Sequence, residues 1–393
     1  MANQARIVGI DFVRGVVLVA IMIDHVPGNA LEGLTPRNFA LSDSAEAFVF
    51  LSGVSVGLAY YRKALASGLA TAARSCFARA GHIYGLHVGL TIAAVAIFGL
   101  CYWFSGLAEL IEAHGRALVF REPARGAIGV ALLSHQLGYF NILPLYVVLM
   151  ALSPLILAVA RISALLAVLA SGGAYLAVRL LDFHLPNWPE PGAWFFNPFA
   201  WQLIFTLGVV AAIRWRDAPL PRSLAIRAAC LTLALAGAVV VTDAWGLLPG
   251  LRDAVFSRLD VGKQNLGALR LINFLALAYL VATAPFLTAL ARTSVGEELQ
   301  RLGPHSLEVF ALGSLLSALG QAATTTPSGI VPEGLEKSLE FGYILACIGV
   351  MVAWARYWEC RTSAHRGAPG ALLRLGFDWR RLFARSPRSA PAG

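Results

Sequence analysis

Apolar runs close to the length of a membrane span recur along nearly the whole chain, and they limit its fold more than any other feature. A helix needs about 20 apolar residues to cross the hydrocarbon core of a bilayer. Hydropathy and helix-breaking residues predict ten such helices, near residues 7–26, 45–61, 82–104, 138–159, 162–180, 198–213, 224–243, 268–290, 305–325 and 340–357. We therefore predict an all-α, polytopic integral membrane protein with one transmembrane domain over residues 1–357.

The composition and the placement of basic residues agree with this class. Of the 393 residues, 58% are hydrophobic and 13% are charged, about half the charged fraction of soluble domains. With ten spans, 20 of the 31 lysines and arginines fall on the side of the N-terminus, 10 fall on the opposite side, and Arg14 lies within the first span. Because lysine and arginine favour cytoplasmic loops, both termini are predicted to be cytoplasmic.

The last segment, residues 358–393, is predicted to be a basic cytoplasmic tail. It carries much of the net charge of +9, so the charge does not indicate a nucleic acid partner. Within the tail, LLRLGFDWRRLFAR spaces apolar residues at near-helical intervals. This pattern fits a helix lying on the inner leaflet of the lipid bilayer, and it fits a disordered segment as well.

The first predicted helix carries charged residues that a membrane span ordinarily lacks. In the stretch FVRGVVLVAIMIDHVPGN, residues 12–29, Arg14 lies near one end and Asp24 and His25 lie near the other. Positions 11 apart on an α-helix differ by about three turns plus 20° and by about 16 Å of rise, so Arg14 and His25 share one face. Asp11, three residues before Arg14, is placed to form an ion pair with it.

Two interpretations of this face remain open from sequence. In one, Asp11 and Arg14 are an orienting ion pair and His25 is an ordinary residue at a helix end. In the other, the cost of ionisable groups at membrane depth, roughly 2.5–3.5 kcal/mol even on lenient scales, marks functional residues along one continuous polar groove. A coenzyme A thioester fits that groove, with its phosphates beside Arg14 and its pantetheine arm reaching towards His25. The imidazole then acts as general base towards a hydroxyl.

Three acidic residues are candidate catalytic partners of the histidine. Asp24 is adjacent to His25 and points about 100° away on a regular helix, so a contact between them requires the helix to fray. Glu46 and Asp43 enter the second span from the same side. They are rival partners for the imidazole, or they complement the helix dipole instead, with Ser42 and Asp43 as candidate N-caps.

Further candidates follow from position and chemistry. Arg79 and His82, at i and i+3 on one helix face, are predicted to help bind nucleotide phosphates, although the positive-inside distribution alone produces such clusters. For the acceptor substrate we predict Asn29, Asn38, Asp43 and Asn265; interhelical hydrogen bonds account for a buried asparagine equally well. Asn38 is also a candidate donor to an oxyanion.

Other motifs do not indicate a second chemistry. GVSVG at residues 53–57 matches a nucleophile elbow, but that motif requires a strand, a turn and a helix, and here it lies inside a predicted helix. Gly53 and Gly57 therefore predict a close helix–helix contact. The five cysteines lack metal-ligand spacing, and we predict neither a metal nor a tightly bound cofactor.

An enzyme and a secondary transporter of an anionic small molecule or glycan are the two function classes that remain. Transporters commonly carry paired broken helices in two related halves. Here the polar residues are concentrated in the first predicted helix and are not repeated in the second half of the chain. This distribution favours the enzyme.

The spacing from Arg14 to His25 resembles the signature of the acyltransferase-3 superfamily of membrane acyltransferases. The chain resembles one branch of this superfamily, the OpgC family, over about residues 6–357. The stretches that carry this resemblance are DFVRGVVLVAIMIDHVPGN, TPRNFALSDSAEAFVFLSG, NILPLYVVLMALSPL at 141–155, FNPFAWQLIFTLG at 196–208, KQNLGALRLINFLALAYL at 263–280 and HSLEVFALG at 305–313.

The resemblance implies a ten-helix, multi-pass enzyme of the bacterial inner membrane. It implies that an acyl group is taken from cytoplasmic acyl-CoA. The expected co-substrate is succinyl-CoA. The acceptor is then a hydroxyl of a periplasmic glucan or another carbohydrate. By the same resemblance His25 is the catalytic histidine, and Arg14 lies on the side of the acyl donor.

Overall fold

The computed structural model describes residues 2–214, 220–325 and 333–364, and within these ranges the chain forms helices and connecting segments but no β-strand. The long helices are α1 Ala2–Asp24, α2 Ser44–Ser67, α3 Leu69–Ser105, α4 Ile142–Ile162, α5 Ala164–Leu180, α6 Pro198–Arg214, α7 Leu224–Val241, α8 Ala268–Thr283, α9 Ser294–Leu302, α10 Ser306–Thr324 and α11 Glu333–Ala364. Shorter helical pieces in the connections are Glu32–Leu34, Pro36–Asn38, Glu109–Glu112, Ala117–Arg121, Pro123–Ala131, Leu251–Arg258, Phe286–Ala291 and Gly303–His305. The predicted all-α class is confirmed.

Several of these helices have the length and apolar composition of membrane spans. Within the described ranges, six helical segments meet both criteria, namely α2, α3, α4, α7, α11 and the continuous stretch Ser294–Thr324, which contains α9 and α10. Helices α5, α6 and α8 are apolar but shorter. Each of the ten intervals predicted as a span contains an observed helix. The number of crossings and the cytoplasmic placement of the termini stay predictions.

Side-chain caps mark where several helices begin. Asp43, Ser163, Ser223 and Thr293 each accept a hydrogen bond from a backbone N–H two or three residues later, at the starts of α2, α5, α7 and α9. Such caps satisfy N–H groups that have no partner in the first turn of a helix. Each of these helices therefore begins at a polar residue, although α5 and α7 are otherwise strongly apolar.

Helix α1 lies at the centre of the fold, against α2, α9 and α10, and α2 also packs against α6. Glycines permit the closest of these contacts. A Cβ atom at Gly15 of α1 would lie 1.9 Å from the Leu299 carbonyl oxygen, and one at Gly53 of α2 would lie 2.0 Å from the Phe205 carbonyl oxygen. Because only a hydrogen atom fits there, the helices meet at backbone distance. The close contact predicted for the GVSVG segment is confirmed.

Several predicted helix limits are wrong, and three of them have a clear consequence or cause. Helix α3 begins at Leu69 rather than near residue 82, because Gly68, with φ of 83°, ends α2 and the alanine-rich segment after it favours a helix. The helix predicted over 268–290 ends at Thr283, since Pro285 has no N–H to continue it. Helix α11 continues to Ala364, past the predicted start of the tail at residue 358. The segment predicted to lie on the inner leaflet is outside the described residues.

Candidate active site

His25 follows directly after α1, and hydrogen bonds fix its backbone. The His25 N–H donates to the Ile21 carbonyl at 3.1 Å, and Gln321 Nε2 of α10 donates to the His25 carbonyl at 2.8 Å. The Asn29 side chain donates to two carbonyl groups near the end of α1, which no longer have partners inside the helix. The main chain thus sets the position of His25 independently of its ring.

The imidazole of His25 lines a cavity of about 530 Å³, here called the His25 cavity. Ligand sites in proteins are typically about 300–1,000 Å³. The ring packs against Tyr139, with ring centroids 4.9 Å apart, and no described residue forms a hydrogen bond with either ring nitrogen. A substrate that binds either nitrogen therefore need not displace a hydrogen bond from a described residue. Other residues that line this cavity are Asp24, Arg37, Asp43, His114, Asn141, Phe195, Phe196, Arg252, Lys263 and Arg270.

Asp24 also lines the His25 cavity, but its carboxylate has a different partner from the one predicted. Thr35 Oγ1 donates to Asp24 Oδ1 at 2.5 Å, and Asp24 is 8% exposed. No hydrogen bond joins Asp24 to the imidazole of His25 within the ranges that the structure describes. The contact that fraying of the helix would have allowed is therefore not formed, because the helix stays regular up to Asp24 and directs neighbouring side chains apart.

Glu46 and Asp43 form a buried cluster with two basic residues. Arg270 donates to Glu46 through Nε at 2.8 Å and to Asp43 through Nη2 at 3.1 Å, and Lys263 Nζ contacts Asp43 at 2.5 Å. Asp43 is the N-cap of α2, and Glu46 accepts a hydrogen bond from the Asp43 N–H, which completes a capping box. The predicted cap is confirmed. Glu46 is 0% exposed and is bound to Arg270 rather than to the imidazole of His25.

The charges of this cluster balance one another. Burial would raise the pKa of the Asp43 carboxyl, but the Lys263 ammonium and the Arg270 guanidinium outweigh burial and hold that pKa below its ordinary value. Asp43 therefore stays ionised at neutral pH between two cations. This wall of the His25 cavity is polar yet nearly neutral, and it binds the beginning of α2 to α8.

Three predicted acceptor-binding amides lie elsewhere. Asn29 holds the end of α1, Asn38 Nδ2 donates to the Glu32 carbonyl at 2.6 Å, and Asn265 Oδ1 accepts from Asn197 Nδ2 at 2.9 Å. None of the three amides lines the His25 cavity. Each is used to fix a loop or a helix end, so of the predicted acceptor residues only Asp43 lies at the cavity.

The His25 cavity also contains residues that the sequence did not indicate. Arg37, His114 and Tyr139 line it, and all three lie in connections between the long helices. His114 and Tyr139 have φ of 57° and 70°, in a left-handed region that costs non-glycine residues about 1–3 kcal/mol each and recurs at functional sites. Although His114 is exposed at the cavity, partial burial of its ring and the nearby Arg116 lower its pKa, so its imidazole is neutral at neutral pH. No motif marks these positions in the sequence.

Arg14 is 4% exposed and joins three segments of the protein through its guanidinium. Nη1 donates to the Gly303 carbonyl at 3.3 Å and to Asp11 Oδ1 at 3.4 Å. Nη2 donates to the Leu51 carbonyl at 3.4 Å and to Ser55 Oγ at 2.5 Å. The predicted ion pair of Asp11 and Arg14 is confirmed. Ser55 lies inside α2 and holds Arg14, so it is not placed as a nucleophile.

Arg14 lines a second, small cavity of about 20 Å³, here called the Arg14 cavity, together with Arg79, Ser52 and Ser55. This volume is enough for about one water molecule. Of the two residues predicted to help bind nucleotide phosphates, Arg79 lines this cavity with Arg14, whereas His82 is not among the lining residues. Two guanidinium groups suit a phosphate, but in this conformation the cavity does not have room for coenzyme A.

The two cavities are separate, so the continuous groove predicted between Arg14 and His25 is absent from the part of the chain that the structure describes. They share no lining residue. Phe48 of α2 packs its ring against Tyr146 at 6.0 Å and against Phe310 at 5.4 Å between centroids. Phe48 and Tyr146 line the Arg14 cavity on α2 and α4, and neither of them lines the His25 cavity.

Fold and site together define a class. The chain is a helical protein with several apolar helices of membrane-spanning length, in which the central helix presents a histidine to a cavity large enough for a ligand. Within the described residues, no three His, Cys, Asp or Glu side chains are grouped as metal ligands.

The chain belongs to the OpgC protein family, whose model matches residues 6–362. Comparisons with curated proteins and with solved structures give no match. The family resemblance seen in the sequence is thereby confirmed, and the wider acyltransferase-3 placement stays a prediction.

Proposed function

We propose that the protein is an acyl-CoA-dependent O-acyltransferase of the bacterial inner membrane. It moves an acyl group from cytoplasmic acyl-CoA to hydroxyls of a periplasmic glucan. Succinyl is the acyl group that we propose. Membership of the OpgC family supports a transferase. The observation that carries the site is the imidazole of His25, which faces a cavity of about 530 Å³ with both ring nitrogens free of hydrogen bonds to described residues.

His25 performs acid–base chemistry in this proposal. A ring nitrogen takes the proton from the acceptor hydroxyl while the oxygen attacks the thioester carbonyl, and a tetrahedral oxyanion forms. When the carbon–sulfur bond breaks, the imidazolium returns the proton to the departing thiolate, so the products are an ester and free coenzyme A. A histidine suits both steps because it exchanges protons near neutral pH. Transfer through an acyl-imidazole is a second route that uses the same free nitrogen.

Arg14 and Arg79 supply the donor side. Their guanidinium groups line the Arg14 cavity and match the fork geometry that phosphates prefer. Arg14 already has protein partners on both terminal nitrogens, so it also fixes the geometry of this region. Since the cavity has room for about one water molecule in this conformation, binding of acyl-CoA requires its lining side chains, Phe48 and Tyr146 among them, to move.

The test is the composition of periplasmic glucans in cells with the wild-type protein, His25→Ala and a deletion. We expect succinyl groups, detected by mass and by negative charge, in the wild type alone. His184→Ala is the matched control, because His184 is an exposed histidine outside the His25 cavity, and it should retain wild-type succinylation.

Two outcomes contradict the proposal. Glucans from the deletion strain that carry the wild-type succinyl content would remove the acyltransferase function. A wild-type content in the His25→Ala strain, with protein present in the membrane, would remove the role of His25. Family membership does not favour the alternative of a transporter, and uptake of labelled glucan into vesicles would be its evidence.

A further inference from the structure

Three aromatic rings form a row along the wall of the His25 cavity. The His25 and Tyr139 ring centroids are 4.9 Å apart, and the Tyr139 and His114 centroids are 5.1 Å apart. All three residues line the cavity, although they come from the end of α1, the segment before α4 and the segment after α3. The chain therefore brings together two aromatic side chains beside the candidate catalytic ring.

The backbone holds this row in place. The Gly138 N–H donates to the His114 carbonyl at 2.8 Å, and a Cβ atom at Gly138 would lie 2.8 Å from the His114 Cβ. Both His114 and Tyr139 keep positive φ values, which side chains other than glycine adopt only when the surroundings enforce them. The two segments are thus in fixed contact, and no helix of the fold requires this arrangement.

The polar edges of Tyr139 and His114 have no hydrogen-bond partner in the part of the chain that the structure describes. Among the described residues, none forms a hydrogen bond with the Tyr139 hydroxyl or with a ring nitrogen of His114, and His114 is exposed. The phenylalanines of the same cavity differ, because Lys263 Nζ lies 5.9 Å from the Phe195 centroid and 5.7 Å from the Phe196 centroid. Tyr139 and His114 are therefore the aromatic groups best placed to receive a ligand.

This combination matches a carbohydrate. One face of a sugar ring exposes C–H groups that pack on an aromatic face, while the hydroxyls at its rim pair with polar edges. The neutral imidazole of His114 and the phenol of Tyr139 offer both kinds of contact.

We infer that Tyr139 and His114 form the platform on which a sugar ring of the acceptor stacks, so that one of its hydroxyls lies against the ring of His25. The inference rests on the proposed function, because it names the binding subsite for the acceptor of that reaction. It assigns Tyr139 and His114 to acceptor binding and not to the acyl donor.

The experiment uses the full chain in nanodiscs, with succinyl-CoA as donor and a linear glucose oligosaccharide as acceptor. Tyr139→Ala and His114→Ala should each raise the acceptor KM by about tenfold, with the KM for succinyl-CoA changed less than about twofold. Because Tyr139 also packs against the ring of His25, only His114→Ala is expected to keep kcat within about twofold. Tyr139→Phe keeps the ring face and should recover most of the affinity. Tyr102→Ala is the matched control, because Tyr102 is an exposed tyrosine outside the cavity.

A second readout separates this inference from the proposed function. Saturation-transfer NMR measures binding of the oligosaccharide without any acyl donor, and Tyr139→Ala should abolish the transfer seen with wild type. Wild-type protein that binds the oligosaccharide but never acylates it would remove the proposed function and leave the platform standing. The platform would be overturned if Tyr139→Ala kept the saturation-transfer signal of the wild type and if both alanine variants kept the wild-type acceptor KM.

Discussion

The imidazole of His25 is oriented by packing rather than by a carboxylate. Tyr139 contacts its ring, and the neighbouring Asp24 accepts its hydrogen bond from Thr35. In Ser-His-Asp triads a buried carboxylate holds the histidine tautomer, but the described side chains supply no such partner to His25. The proton chemistry of the site therefore depends on His25 itself and on the substrate.

Substitutions at the two neighbouring residues should separate their roles. His25→Gln should lower the rate of succinyl transfer by about 10²–10⁴-fold, the usual contribution of a general base. Asp24→Asn should lower it less than about tenfold, because an asparagine oxygen still accepts the hydrogen bond from Thr35. Initial rates of coenzyme A release with an oligosaccharide acceptor measure both. Equal losses in the two variants would show that Asp24 takes part in the chemistry.

Arg79 offers a test of donor binding that Arg14 does not. Arg14 is buried with an acidic partner, so its loss combines donor binding with the cost of an uncompensated charge. Arg79 is only half-buried, and Arg79→Ala should raise the KM for succinyl-CoA by about tenfold, since one charge-assisted contact to phosphate is lost. Succinyl-pantetheine lacks the nucleotide phosphates, so its KM should not change. A parallel rise for both donors would contradict the assignment.

The sequence could predict those residues whose relations lie within one helix. The pair of Asp11 and Arg14 and the cap at Asp43 follow from spacings of a few residues, and both are confirmed. Contacts across the fold could not be predicted, because sequence distance carries no information about them. Arg270 lies 224 positions after Glu46 in the sequence and donates a hydrogen bond to its carboxylate. Glu46 is therefore bound to Arg270 and not to His25.

At the scale of elements, the glycines of α2 fix how closely it approaches α6. Gly53 and Gly57 face the backbone of α6, and Gly208 faces α2 in return, with a Cβ position 2.2 Å from the Phe50 carbonyl oxygen. The spacing of Gly53 and Gly57 was sufficient to predict a close contact, but the identity of the partner helix was not predictable. The contact thereby fixes the position of α2, whose Ser55 binds Arg14 of α1 and whose Phe48 packs against Tyr146 of α4.

Adding one methyl group at this contact should therefore destabilise the protein. Gly53→Ala forces α2 and α6 apart, with an expected cost of about 1–3 kcal/mol. Gly85→Ala in α3 is the matched control, since a Cβ atom there meets nothing within 4 Å, and it should be neutral or stabilising. Thermal unfolding in detergent and the yield of monodisperse protein measure both. A Gly53→Ala variant as stable as Gly85→Ala would show that the contact tolerates separation.

At the scale of the whole molecule, Arg14 and His25 line two separate cavities. Helical periodicity predicts that the two residues share one face, but it could not show how the space around that face is filled. Phe48 of α2, which lines the Arg14 cavity, packs against Tyr146 of α4 and Phe310 of α10. The proposed transfer across the membrane therefore requires a conformation in which the two cavities are joined, and Phe48 is the ring whose removal we expect to join them.

Removal of the Phe48 ring should connect the two cavities. Ser52→Cys places a thiol in the Arg14 cavity, where a membrane-impermeant maleimide applied to spheroplasts should not reach it while Phe48 is present. In Ser52→Cys combined with Phe48→Ala the thiol should react, because the void left by the ring opens a path from the His25 cavity. The wild-type protein with its own five cysteines gives the background labelling.

Two further variants make this result specific to Phe48. Asn141→Cys lies at the His25 cavity and should react whether or not Phe48 is present, which shows that the reagent enters that cavity. Phe50→Ala removes a ring of α2 that packs on Phe274 instead, and with Ser52→Cys it should leave the thiol protected. If Ser52→Cys is labelled equally in the presence of Phe48 and in combination with Phe48→Ala, another element separates the two cavities. Labelling restored by Phe50→Ala as well would indicate general loosening of α2 rather than an opened passage.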